Sequence, residues 1–226
     1  MSDEPADWPD FALTNDVTFQ DTTYRNLANA FLVNTGRDTL GVSCKHLFMV
    51  FENSPSIRSI DLGPQFRSWE MYPKDKPEIA VSVRRLINSD PNEPIGAFNT
   101  LKDRDWIILE VEKQDPLPYP LKIRFTPLEK YEVVYNVGWS TSQPGTGGPQ
   151  IVRMQCYKIM GNYYYMKVAA TSVDPAGRSG SPVIDKNGYL VGLISGAEGK
   201  LAMIGSVQYL KKLFDTYHIP FSEPES

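Results

Sequence analysis

The sequence predicts an all-β chain of two lobes followed by a single C-terminal helix. Three observations carry that expectation. Short β-rich runs recur between turn residues along most of the chain, the pattern of a sandwich or barrel. A proline cluster, "QDPLPYP" at Gln114 to Pro120, interrupts them near the middle. Only one stretch, Val207 to about Tyr217, spaces its apolar residues three and four apart as an amphipathic helix does.

Residues 1–27 are set apart as an N-terminal segment. They open "MSDEPADWPDFALTND", acidic and proline-bearing, without the basic cap and apolar stretch of a secretory signal. The expectation is a cytoplasmic chain as written, or an extracytoplasmic one if a leader has been trimmed. The first lobe, 28–115, begins with a hairpin that joins Phe31–Val33 to Thr39–Ser43 across "NTGRD". Apolar and polar residues then alternate over Ile79–Val83, and Trp106–Val111 is an apolar run continuous enough to be buried on both faces. The lobe boundary falls near Pro116–Pro120, because proline cannot donate to a strand ladder.

The second lobe, 121–206, holds six strand candidates: "YEVVYNVGW", "IVRMQCYKI", "YYYMKVAAT", "SPVID", "YLVGLIS" and "LAMIGS". Helix and tail occupy 207–226, with Val207, Leu210, Phe214 and Tyr217 on one face and Lys211, Lys212 and Asp215 elsewhere. There is no sequence repeat.

Composition narrows the function. At 41% apolar and 22% charged residues the chain belongs with ordinary globular proteins. No apolar run approaches the roughly 20 residues that a bilayer demands, so no membrane partner is expected. A net charge of −4 argues against counterion-driven binding to nucleic acid. "QPGTGGPQ" at 143–150 lacks the lysine of a phosphate loop and reads as a mobile loop near a cleft. "NYYYMKV" reads as a strand with one packed face rather than a base-stacking platform. The two histidines have no suitably spaced companions, so neither a metal nor another cofactor is expected. Cys44 and Cys156 are read as reduced, partly buried thiols. Oligomeric state is left open.

The chemistry concentrates around "GRSGSPV". Ser179 stands between Arg178 and Gly180, with Gly177 just before. A serine hydroxyl is a weak nucleophile near neutral pH and needs a base within reach and donors for the oxyanion it creates. Glycines let the backbone turn tightly and aim successive amides at one spot. A plain turn before a strand accounts for the same motif. Of the two candidate bases, His218 reads as a solvated tail residue, whereas His46 follows directly on the strand "TLGVSCK". Asp105 opens the apolar run, where a carboxylate needs a donor such as an imidazole N–H. Asp103, two residues earlier, competes for that role.

In the order His, Asp, Ser these segments resemble the chymotrypsin-like serine peptidases. "VSCKHLF" is similar to their "TAAHC" or "TNxHV" segment, "DWIILEVE" to "DLALLKV", "GRSGSPV" to "GDSGGP" or "GNSGGP", and "VGWS" at Val137–Ser140 to the "GWG" strand of their second barrel. The resemblance implies two six-stranded antiparallel barrels with a triad in the cleft between them: His46 as base and then acid, Asp105 as its orienting carboxylate, Ser179 as nucleophile. It also implies an oxyanion hole built from the amides of Gly177 and Ser179, a polypeptide substrate and no cofactor.

Some features depart from that pattern. Arg178 stands where the digestive and clotting branch has the aspartate of its zymogen switch, so that switch is expected to be missing. The lack of disulfides and "MIGSVQYLKKLF" resemble the bacterial Do-like branch, without its PDZ domain. Ser181 replaces a glycine, which is neutral. The pocket beside Ser179 is expected to be lined by Val173, Ser195, Gly196, Ala197 and Ala202. It has neither an acid to select arginine or lysine nor a histidine to bind glutamate. Cleavage after aliphatic or aromatic residues is therefore expected, unless the loop carrying Glu198 folds inward. With an unperturbed imidazole, activity rises through roughly pH 6 to 8. Two alternatives stand beside this reading: a catalytically silent peptidase-like binding module, and an unrelated β-sandwich.

Overall fold

A computed structural model describes residues 8–51 and 57–222 of the chain. In chain order the first half contributes β1 (Leu13–Phe19), β2 (Thr23–Tyr24), β3 (Asn29–Asn34), β4 (Thr39–Ser43), β5 (Ser59–Ile60), β6 (Phe66–Tyr72), β7 (Val81–Leu86), β8 (Asp90–Pro94) and β9 (Ile107–Val111). A short helix α1 (Phe48–Phe51) follows β4, and α2 (Phe98–Leu101) precedes β9. Six of these strands close a barrel in the order β3-β4-β9-β7-β6-β1, with β1 returning to β3 through Leu13↔Ala30 and Thr14↔Asn29. Strand β10 (Leu121–Lys122) then adds in parallel to β3 as the chain crosses to the second half.

The second barrel is built from β11 (Val133–Gly138), β12 (Gln150–Ile159), β13 (Tyr163–Val168), β14 (Pro182–Ile184), β15 (Leu190–Glu198) and β16 (Leu201–Ser206). Its order is β11-β12-β13-β16-β15-β14, closed by antiparallel pairing of β14 with β11. The chain thus has the chymotrypsin-like double-barrel fold, and closure leaves neither barrel an open edge. The continuous apolar run lies in β9, where Ile107, Ile108 and Leu109 are all fully buried between β4 and β7.

Two expectations change. Residues 13–19, inside the stretch set apart as an N-terminal segment, form β1, a full member of the first barrel. Polar residues disguised it: Thr14 and Asn15 are buried, and Asn15 bonds the Leu27 carbonyl at 2.8 Å and the Trp69 indole N–H at 2.8 Å. Buried polar groups are tolerated when so paired. Residues 1–7 of that segment lie outside the described residues.

The last helix, α3 (Val207–Thr216), buries Val207, Leu210, Leu213 and Phe214; Leu213 takes the place expected for Tyr217, which lies past the helix end and is exposed. These four join the larger core cluster with Phe31, Leu32 and Leu193, and burial is worth roughly 1.5–3 kcal/mol per large apolar side chain. Ser206 caps the helix, its hydroxyl accepting from Gln208 N at 3.1 Å. Ser206→Ala is expected to lower unfolding stability by about 1 kcal/mol, read as a reduced urea midpoint at constant slope.

Candidate active site

Strand β4 ends at Ser43, and one 3₁₀ turn, Lys45–Leu47, carries His46 out of the first barrel. Asp105 reaches it from just before β9. Its carboxylate is 1% exposed and grips the histidine at two points: Oδ1 accepts from the His46 backbone N–H at 2.8 Å, and Oδ2 lies 2.7 Å from Nδ1. Such a hold fixes the proton on Nδ1 and leaves Nε2 as the nitrogen able to act as a base. Asp103 is exposed, and so is His218.

The other nitrogen has an unexpected neighbour. Cys44 Sγ, fully buried, lies 3.8 Å from His46 Nε2, and among the described residues no hydrogen bond joins Nε2 to Ser179. Burial alone would push the imidazole down, but electrostatic interaction and hydrogen bonding with the neighbouring Cys44 sulfur and the Asp105 carboxylate outweigh it and lift the group to about 11. The Phe98 ring from α2 stands edge-on to the imidazole, with centroids 5.4 Å apart, and packs against Gly196.

Ser179 is half-buried at the end of a tight loop from the second barrel, and anchored carbonyls set the geometry of that loop. Thr141 N–H donates to the Ala176 carbonyl at 2.9 Å, while the Arg178 carbonyl accepts from Ser181 N–H at 3.0 Å and Ser181 Oγ–H at 2.6 Å. In a planar trans peptide the N–H points opposite to the C=O. The amides of Gly177 and Ser179 are therefore turned away from these anchors, and among the described residues neither donates a hydrogen bond. Gly177 has φ +82°, and a Cβ there would come within 2.7 Å of Thr141 N, so no other residue fits without moving the loop.

Two side chains that the sequence reading did not single out hold the loop from outside. Asn29 on β3 donates from its backbone N–H to the Ser179 carbonyl at 2.7 Å. Its Nδ2 donates to the carbonyls of Gly177 (2.7 Å) and Trp139 (2.9 Å), and its Oδ1 accepts from Trp139 N–H (2.7 Å). The first barrel thus positions the loop of the second. Asn136 Oδ1 accepts from Arg178 Nε at 2.9 Å and Nη2 at 2.7 Å. Arg178 further donates to the Gly138 and Gln150 carbonyls, both at 2.9 Å.

Beside Ser179 opens a cavity of about 390 Å³. Val173, Gly196, Ala197 and Ala202 line it; Ser195 does not, being 1% exposed with no hydrogen-bond partner for its hydroxyl among the described residues. Much of the wall comes instead from Val152, Met154 and Ile194. Glu198 is absent from the wall, its carboxylate accepting from Tyr165 O–H at 2.5 Å. Among the described residues no group of three or more His, Cys, Asp or Glu is placed to hold a metal ion. Both cysteines are free and buried.

The fold is shared with solved proteases. The active form of the Rv3671c protease from M. tuberculosis superposes with a TM-score of 0.60 at 15% identity, over 98% of this chain and 86% of that one. An inactive form of the Rv3671c protease gives 0.57 at 14%, over 94% and 91%. An inactive serine-to-alanine mutant from the same organism gives 0.56 at 13%, over 100% and 98%. No family model matches the sequence, and no curated protein does.

Proposed function

We propose that the chain is a serine endopeptidase that hydrolyses polypeptides through an acyl-enzyme intermediate. The observation that carries this reading is the pair of amides at Gly177 and Ser179, both turned away from their anchored carbonyls and, among the described residues, donating to no protein acceptor, as donors kept for an oxyanion would be. Ser179 Oγ attacks the scissile carbonyl while His46 Nε2 takes its proton. The new oxyanion sits between the two amides, donors worth several kcal/mol each in such sites. The imidazolium returns the proton to the departing amine, and water repeats the sequence on the ester. Asp105 keeps its charge throughout and holds the ring. The apolar walls of Val152, Met154, Val173 and Ile194 support a substrate side chain with an aliphatic or aromatic body.

A catalytically silent binding module is the second reading, favoured by the contact of Nε2 with Cys44 in place of Ser179. A fluorophosphonate probe separates the two. The endopeptidase labels at one serine, and both Ser179→Ala and His46→Ala abolish the label. A folded native protein that stays unlabelled through alkaline pH is the silent module.

A further inference from the structure

Arg178 is more than a replacement for the missing acid. It is 4% exposed, lies on the wall of the cavity beside Ser179, and spends its hydrogen bonds on neutral oxygens: the Asn136 amide and the carbonyls of Gly138 and Gln150. No carboxylate pairs with it among the described residues. Burial lowers the guanidinium to about 10, which leaves it charged at neutral pH. A buried cation without a counter-charge is costly, and it favours any arrangement that brings an anion near. The acids around it are otherwise engaged. Asp174, on the same loop, accepts from Ser142 O–H at 2.7 Å and Ala176 N–H at 2.9 Å, and Glu198 is held by Tyr165. Lys200 adds a second cation to the wall, and no lining residue is acidic.

We propose that this cavity selects a substrate side chain with an apolar stem and an anionic end, namely glutamate at the residue whose carbonyl Ser179 attacks, and that Arg178 is the group that selects it. The inference rests on the endopeptidase reading and refines its substrate class. Val152, Met154 and Ile194 bury the methylene stem, and the carboxylate supplies the charge that Arg178 lacks. The selecting cation lies inside the wall rather than at the rim, so salt screens it weakly.

The test compares quenched-fluorescence peptides that differ at that one residue, carrying glutamate, glutamine, leucine or lysine. Glutamate is expected to give at least tenfold higher kcat/KM than its neutral isostere glutamine, with lysine poorest. Glutamine or leucine equal to glutamate overturns the proposal while leaving the fluorophosphonate result, and so the endopeptidase reading, intact. A readout free of turnover uses Ser179→Ala protein and acetylated peptides ending in glutamate or glutamine. The glutamate peptide is expected to bind at least tenfold tighter, and equal binding overturns the proposal even if the native protein proves silent. Arg178→Gln should bring the glutamate-to-glutamine ratio near one; a variant that still labels and keeps the full ratio removes Arg178 as the selector. If that variant loses its loop, Lys200→Glu, which takes part in none of the hydrogen bonds that anchor the Ser179 loop, is expected to cut the ratio severalfold, and an unchanged ratio counts against an electropositive pocket.

Discussion

Asp105→Asn is expected to lower kcat/KM for peptide hydrolysis by about 10³- to 10⁴-fold, the scale of a wrong histidine tautomer in such a triad. The reason lies in the two-point hold. Asp105 accepts from both the His46 backbone N–H and Nδ1–H, so both of its oxygens must be acceptors. Asparagine has one. If its oxygen keeps the backbone N–H, its NH₂ faces Nδ1 and is satisfied only when Nδ1 gives up its hydrogen. The proton then sits on Nε2, which can no longer take one from Ser179. If the amide turns the other way, the backbone donor at His46 meets a donor, and the turn carrying the ring shifts. Either arrangement disables the base without emptying space, because the two side chains have nearly the same volume. Steady-state hydrolysis and the rate of fluorophosphonate labelling should fall together, with circular dichroism unchanged. Asp103→Asn, at an exposed position, should leave both rates as they were. A loss smaller than tenfold in Asp105→Asn removes Asp105 from the orienting role.

How much of this was legible in the sequence depends on how local each signal is. Closure into two six-stranded barrels was implied only by the resemblance of the motif segments to the peptidase family, whereas the two β-lobes were readable because strands of the second half, such as β15, keep their apolar residues in short runs between turn residues. Strand β1 was not, because Asn15 occupies an interior position and reads as loop until its partners Leu27 and Trp69 are seen. His46 and Asp105 could be named from the runs they adjoin, although their 59-residue separation hides the contact itself. Asn29 gave no signal at all. Its bonds to Trp139 and Gly177 span 110 and 148 residues, and nothing in "NLANAF" distinguishes it from a polar strand residue. The pocket was read in part: alignment with the peptidase family gave Val173, Gly196, Ala197 and Ala202, but the irregularity of β15 between Ile194 and Gly196 leaves Ser195 in the core and Ile194 on the wall, which alignment does not reveal. Arg178 was legible as the absence of an acid, and its charge became meaningful only once its acceptors proved neutral.

The pH dependence should differ from that of an unperturbed imidazole, and Cys44 and Asp105 together are the reason. Histidine acts as a base only in its neutral form. Raising its proton affinity shrinks that form at pH 7, so activity should climb with a midpoint above pH 8 rather than between 6 and 8, given a group lifted to about 11. Burial works in the opposite direction, so the shift comes from the sulfur and the carboxylate, and only the sulfur is dispensable to the chemistry. Cys44→Ala should therefore move the rising limb of kcat/KM toward lower pH and increase activity at pH 7 at least tenfold, by freeing Nε2 for Ser179. Cys44→Ser, which fills the space without a sulfur, should do the same. Cys44 is fully buried, so removing the sulfur leaves a small void whose cost is about 1 kcal/mol, and urea unfolding should accompany the kinetics. The same proton affinity has a stability consequence of fixed sign. A folded-state value above the unfolded 6.5 stabilises the native protein fully below pH 6.5, and that contribution is lost as pH rises through the folded value. Cys44→Ala should flatten this alkaline decline as well as shift the kinetic limb, so two independent titrations report on one contact. If neither moves, the sulfur lies beside Nε2 without acting on it, and the raised imidazole must be assigned to Asp105 alone.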